Sequence, residues 1–252
     1  EAAGESFSQY DVAVAEESKR KSSFYNKAKE YYEGIYNGTS APFNIDGDLK
    51  EQEEGCGSYK VFNERTSKAD VEEFCKKNKI TENVFFTAVM GYIMGQYNHS
   101  EDAIFTTIYN GRNDSRTMNT FAMMVKTLPV YSYFQKDMLV ADYMQNIQKQ
   151  LLDSMKYDIY SFAEISHSYG IKPEIMFVYQ GDSFVEFEIG DEKTIFHEAV
   201  PDKAKANISF NIFVENGKYR HEFEYRDNTY SKRFIELLDD IYVEAVNSFL
   251  TS

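Results

Sequence analysis

The sequence predicts an α/β fold: a mixed β-sheet with helices packed against it. Three observations predict it. Segments with apolar residues at helical spacing interleave along the chain with short β-rich runs. Asn207 to Val214 alternates cleanly through Ile208, Phe210, Ile212 and Val214, and Glu215-Asn216-Gly217 joins it to Tyr219–Tyr225, a strong antiparallel hairpin signal. Ile175-Met176-Phe177-Val178-Tyr179 is apolar on both sides, as a buried strand is. A purely parallel, doubly wound sheet has no place for that hairpin, so a mixed sheet is the better reading.

Taken in order, residues 1–16 are polar apart from Phe7, Tyr10 and Val12-Ala13-Val14-Ala15. Glu16 to Tyr36 reads as one helix with Phe24, Ala28, Tyr31, Tyr32 and Ile35 on one face, stopped by Asn37-Gly38. Residues 38–57, with Pro42, several glycines and the acidic run Glu51 to Glu54, read as a flexible surface loop. Tyr59 to Phe62 is a short strand. Ser67 is placed to cap a helix that turns Val71, Phe74 and Cys75 inward. Thr81 caps the next helix, Glu82 to Tyr97, which is apolar on more than one face and so nearly buried.

A β-rich run, Ala103 to Tyr109, ends at the turn Asn110-Gly111 with Arg112 beside it. A polar loop follows, then a second apolar run closing with Val125-Lys126-Thr127-Leu128-Pro129-Val130. Asp137 to Met155 is a helix by the recurrence of Leu139, Tyr143, Ile147, Leu151 and Met155, and a short helix is expected around Phe162 to Ser168. Residues 181–204 alternate weakly, with Gly190 as a hairpin between Phe187 and Ile195. A final helix runs from Ser231 to Leu250, with Phe234, Leu237, Leu238, Ile241, Tyr242, Ala245 and Phe249 on its apolar side.

The 252 residues allow one large domain or two small ones. At 42% hydrophobic and 27% charged the composition is that of an ordinary globular protein, and 20 Tyr with 20 Phe and no Trp make its core aromatic. A net charge of −14 argues against a nucleic-acid partner, which wants a clustered basic face. No apolar run is long enough to span a membrane. The two cysteines, Cys56 and Cys75, have no metal or redox spacing, so a reducing cytoplasm is expected, with Cys75 a small core residue. The four Asn-x-Ser/Thr strings, at Asn37, Asn98, Asn113 and Asn207, are what a chain this polar produces by chance. The first residues, Glu-Ala-Ala-Gly rather than Met, point to an excised segment of something longer.

No catalytic centre emerges from the residues. Phosphate-binding glycine loops, metalloprotease helices and serine-nucleophile turns are missing. His99 lies in a polar turn and reads as solvated. His221 sits in an alternating strand, paired across the sheet or facing a cleft. His167, three residues from Glu164, and His197, beside Glu198, read weakly as bases, and no two histidines have a metal spacing. Cysteine and methionine serve the core, and choosing an acid–base pair among 41 carboxylates is arbitrary. Arg112 stands out. If buried, it requires an anionic partner. Asp114 is the nearest, solvation is the alternative, and otherwise the partner lies far away or outside the chain.

Several segments, in order, resemble the condensation domains of nonribosomal peptide synthetases. Ser8-Gln9-Tyr10-Asp11-Val12-Ala13-Val14 looks like the family's tyrosine–x–aspartate–tyrosine–alanine segment, and Tyr31 to Gly38 like the aromatic helix end after it. The helix opened by Thr81-Glu82-Asn83 and the turn Asn110-Gly111-Arg112 have counterparts. The strongest match is Ala122 to Val130, similar to glycine–x–phenylalanine–valine–asparagine–threonine–leucine–proline, with Ala122 for the usual glycine and Lys126 for the usual asparagine. Tyr157 to Glu164 resembles the family's glutamine–aspartate–tyrosine–proline–phenylalanine–glutamate segment, and Met176 to Gly181 its later strand and turn.

The resemblance implies that residues 1–252 are the C-terminal subdomain of a condensation domain, one lobe of a two-lobed chloramphenicol-acetyltransferase-like fold. The family's double-histidine motif, ending in aspartate–glycine, is not in this sequence. No catalytic residue is therefore assigned, and the chain alone is expected to be inactive. By the resemblance, Arg112 is an interlobe structural residue that pairs with the aspartate of the absent motif. Residues 181–204 would be the segment that crosses to the other lobe as a latch. Implied partners are carrier proteins with their phosphopantetheine arms, the N-terminal subdomain and adjacent synthetase domains, with no cofactor or metal bound directly. An epimerization or other acyltransferase lobe, and a non-catalytic carrier-binding module, are the alternatives.

Overall fold

A computed structural model of the chain describes residues 7–50, 57–112, 114–182, 188–189, 192–193 and 204–252. Most of 181–204, including Gly190 and His197, lies outside the described residues, as do Cys56 and the acidic run. Among the described residues, seven α-helices and eight strands are arranged as α1 Gln9–Arg20, α2 Ser23–Tyr36, β1 Gly57–Ser67, α3 Lys68–Asn78, α4 Glu82–Tyr97, β2 Asp102–Tyr109, β3 Lys126–Tyr133, α5 Val140–Lys156, α6 Phe162–Tyr169, β4 Ile175–Gly181, β5 Glu188–Ile189, β6 Glu192–Lys193, β7 Ile208–Glu215, β8 Lys218–Arg226 and α7 Lys232–Leu250.

The sheet is mixed, as the sequence predicts. Its order is β1-β8-β7-β4-β2-β3, with β1–β8 and β7–β8 antiparallel and β4–β7 parallel. The β7–β8 hairpin turns at Asn216 and Gly217, both at positive φ, where asparagine and glycine are the residues that sit with least strain. Strand β3 is an edge, and that is where Pro129, which has no N–H to donate, can be placed. The ribbon β5–β6 pairs Glu188 with Lys193 and Ile189 with Glu192, where the sequence predicts a hairpin.

By its internal contacts the chain forms two compact units. One comprises Ala41–Phe105, Tyr131–Gln148 and Pro173–Ser252. Here α4 packs on β4 and α7, and an aromatic core fills the space. Phe177, Phe210, Phe223 and Tyr242 form one cluster, and Phe85, Phe86 and Tyr219 another. Cys75 is buried in this unit, and burial pushes its thiol up to about 12, which fits an inert core residue. Residues 41–48 correct the flexible-loop reading. Ala41 and Ile45 are buried, the Tyr230 hydroxyl donates to Ile45 O at 2.6 Å, and Asp48 accepts from the Ser231 amide at 2.7 Å. The segment has no periodicity because it is tied down by scattered polar bonds.

His221 is fully buried in the same unit. Its Nδ1–H donates to Asp239 Oδ1 at 2.6 Å, and Arg65 Nε lies 2.7 Å from Asp239 Oδ2. The histidine thus faces neither a cleft nor solvent. Ser67 occupies its predicted helix-capping position but makes no side-chain cap bond.

The other unit comprises Glu1–Ser40, Thr106–Val130 and Lys149–Lys172. The single helix expected over 16–36 is two. Ser8 and Asp11 form a reciprocal capping box that starts α1 well before Glu16, and Ser22 accepts from the Phe24 amide to start α2. Tyr31 stacks on Tyr157 and Tyr32 on Tyr160, so the periodic face of α2 packs on the segment that leads into α6.

Removing the Asp239 carboxylate leaves His221 without its acceptor and takes a counter-ion from Arg65. Asp239→Ala is expected to lose about 3–5 kcal/mol of stability, read from the urea midpoint. A loss below about 1 kcal/mol would contradict the ion-pair reading of this site.

Candidate functional site

The segment that follows β2 is shaped first by Gly111. Its φ is +72°, and a Cβ there would stand 2.0 Å from the carbonyl oxygen of Met124. Only glycine allows the turn and the close approach together. Arg112 then reverses back across the loop. Its amide donates to Asn110 Oδ1 at 3.0 Å, while Nη1 donates to Thr117 O at 2.5 Å and Thr120 O at 3.0 Å, and Nη2 to Ala122 O at 3.3 Å. Thr117 O and Thr120 O, which also accept the turn amides of Thr120 and Ala122, are thereby tied with Ala122 O to one side chain.

This corrects the simplest sequence readings of Arg112. Asp114 is taken by Arg116, with Nε and Nη2 both on its carboxylate, and that guanidinium holds the Asp114 carboxyl down to about 2. Arg112 is half-buried rather than solvated. Its partners are main-chain oxygens, a class of acceptor that sequence reasoning centred on carboxylates does not find. The loop it holds turns apolar side chains outward: Met118 is 62% exposed, Phe121 92% and Met123 87%. Ala122, where the resemblance expects a glycine, is not at positive φ.

Beside this loop lies a cleft of about 310 Å³, lined among others by Val12, Ala15, Met124, Lys126 and Asp158. A second hollow of about 440 Å³ shares Glu16, Lys126, Asp158 and Ile159 with it and extends to Arg20 and Phe162. The charges at the cleft are mutually paired. Lys126 Nζ sits 2.7 Å from Glu16 and 3.3 Å from Asp158, and Lys19 Nζ 3.5 Å from Asp158. Lys126 therefore does what an asparagine could not: it joins α1 to the turn before α6 by charge. Asp158 is nearly buried, and two ammonium groups offset its desolvation.

Glu164 is the other fixed point. Arg20 grips it in bidentate fashion at 2.7 and 3.1 Å, the Tyr25 hydroxyl donates to it at 2.5 Å, and it caps α6 through the Ser161 amide and hydroxyl. Burial raises its pKa, but the bonds from Arg20, Tyr25 and Ser161 outweigh that and bring it down to about 2. The carboxylate thus serves structure and is not a partner for His167, which is exposed at the far end of α6. His99 is exposed too, and among the described residues no three His, Cys, Asp or Glu side chains gather to hold a metal. The cleft can enclose and orient a ligand. Among the described residues its lining brings no nucleophile and base into contact.

A family model described as the condensation domain matches residues 3–252. Bacitracin synthase 1 from Bacillus licheniformis is 24% identical over 224 residues, covering 84% of this chain. The first condensation domain of the calcium-dependent antibiotic synthetase, solved with a substrate analogue, superposes with a TM-score of 0.78 at 12% identity over 99% of this chain. An epimerization domain from tyrocidine synthetase B does so with 0.76 at 15% identity over 96%. The chain spans 4% of that bacitracin synthase and 56% and 58% of the two solved chains.

The depressed pKa of Glu164 has a consequence for stability. Its folded value lies below its unfolded one, so its contribution is present above about pH 4.5 and is lost as pH falls toward 2. The wild-type chain is expected to lose more stability over that window than Glu164→Gln does, measured by thermal unfolding at successive pH values. Equal losses would contradict the assignment.

Proposed function

The chain belongs to the condensation-domain family, and on that premise we propose that it is the C-terminal half of a condensation domain of a nonribosomal peptide synthetase. In the intact enzyme an amine on one carrier-bound aminoacyl group attacks the thioester carbonyl of another. The C–N bond forms, the C–S bond breaks, and the proton from the amine leaves with the thiol. The carriers would present both groups on phosphopantetheine arms, and a cytoplasmic setting with adjacent synthetase domains goes with that chemistry. This half supplies walls and scaffold. None of its four histidines adjoins another, so the base that the family's double-histidine motif provides would come from the N-terminal half.

The observation that carries this reading is Arg112. Of its five N–H groups, three reach carbonyls, and Nε and one Nη2 hydrogen have no acceptor among the described residues. A planar fork with directions to spare, beside a loop that exposes Met118, Phe121 and Met123, suits a carboxylate and an apolar surface supplied by the other half. In the family that carboxylate is the aspartate of the double-histidine motif. Residues 181–204 are assigned as the latch on the resemblance alone.

Epimerization is the second reading, favoured by the nearly equal superposition on an epimerization domain. The two part company in the product. With the N-terminal half and two loaded carriers supplied, the chain is expected to yield an amide, and alone to yield nothing. Turnover by the chain alone would contradict the division of labour. A thioester inverted at its α-carbon with no amide would establish the second reading instead.

A further inference from the structure

Helix α1 differs from the other helices of its unit in how it is attached. No residue of α1 is buried, whereas α2 buries Ala28, Tyr32 and Tyr36 and α6 buries Ile165. Val12, Glu16 and Lys19, half-buried, and the exposed Ala15 form the α1 side of the cleft, with Met124, Lys126 and Asp158 also in its lining. The helix is held down along its length by charge. Glu16 pairs with Lys126 at 2.7 Å and Lys19 with Asp158 at 3.5 Å, both half-open to solvent on the α1 side. Arg20, at the last position, is clasped by Glu164 and also donates to Ile159 O at 3.2 Å.

The ends of the helix are set without the cleft, but at 12 residues it is marginal once undocked, so that opening exposes its amides to exchange. Its N-terminus is closed by its own capping box between Ser8 and Asp11. Its C-terminus ends at Lys21, before a fresh helix start at Ser22. A two-residue joint therefore separates α1 from the firmly packed α2, with the Arg20–Glu164 clasp directly beside it. At the other end, two contacts with the exposed loop add little apolar area: Phe7 O accepts from the Thr120 hydroxyl, and Arg116 lies over the Phe7 ring at 4.8 Å.

We propose that α1 is a lid on the cleft, hinged at Lys21–Ser22 and fastened by salt bridges, with Lys126 as its catch. Apolar docking would be strengthened or left unchanged by salt, but part-exposed ion pairs are weakened by it. Opening swings Glu16 and Lys19 off Lys126 and Asp158 and uncovers Met124. The Arg20–Glu164 clasp stays closed as the pivot. The substitution of lysine for the family's asparagine at position 126 is then what gives this chain the catch. The lid acts whatever reaction the intact protein performs, so its test is independent of the function proposed above.

Hydrogen exchange of the chain at low and high ionic strength reads it directly. Raising NaCl from about 0.1 M to about 1 M shortens the screening length from about 10 Å to about 3 Å. Amides of residues 12–20 are expected to exchange about tenfold faster, an order-of-magnitude figure for losing two or three such pairs, while those of Ala28–Tyr36 hold. Lys126→Asn should raise α1 exchange at low salt and blunt its salt response. A measurement that needs no substitution is oxidation by dilute peroxide: the rate at Met124 relative to the exposed Met123 should rise with salt. Exchange in α1 that ignores salt, or that moves in step with α2, would overturn the proposal, and so would a constant Met124 to Met123 ratio.

Discussion

The loop between β2 and β3 is drawn together by one guanidinium, which adds three longer-range bonds to the short-range turn bonds among Asp114, Thr117, Thr120 and Ala122. A chain that leaves a strand and returns ten or more residues later must satisfy its carbonyls with something other than a ladder. Arg112 provides three N–H donors to Thr117, Thr120 and Ala122, and hydrogen bonds to a charged group are worth about 1.5–3 kcal/mol each. Gly111 makes this possible. With a side chain there, the Met124 backbone could not come close, and the loop could not fold back over Arg112. The shape of the cleft and the outward display of Met118, Phe121 and Met123 follow from that closure.

Around it, charge joins α1 to the rest of the smaller unit, while α2 is joined by the stacking of Tyr31 and Tyr32 on Tyr157 and Tyr160. Glu16, Lys19, Lys126 and Asp158 form one network, and Arg20, Tyr25, Ser161 and Glu164 another. Each network links segments far apart in sequence, so each is a long-range constraint that costs little core volume. In the larger unit the aromatic residues of β4, β7, β8 and α7 interlock, and a buried histidine–aspartate–arginine group is the main polar feature of the core.

How much of this could be read from the sequence follows from the same division. Strands β7 and β8 and helix α7 were legible because periodicity reports burial on one face of a regular element, and β4 and α4 because they are apolar on more than one face. Thr81 was legible as a cap by its residue type ahead of an apolar run, whereas Ser231, read as the first residue of the last helix, is its cap. Helix α1 was not, because it buries nothing and its only signal is the local pair Ser8 and Asp11. The packed stretch 41–48 was missed because irregular backbone held by Tyr230 and Asp48 leaves no pattern. At the site, the turn and Arg112 stood out as a cation in want of a partner. Their acceptors did not, since carbonyl oxygens are anonymous in a sequence. Glu164 was weighed against His167, its neighbour on the helix, while its real partners Arg20 and Tyr25 lie more than a hundred residues away.

The central claim is that the Arg112 fork, and not merely its charge, holds the loop. Arg112→Lys keeps the cation and removes the planar geometry. Hydrogen exchange of residues 115–125 in this variant is the direct measurement. Loss of protection at Thr117, Thr120 and Ala122, with α2 unchanged, is the predicted result. A loop as protected as in the parent chain would show that a point charge suffices, and would contradict the account.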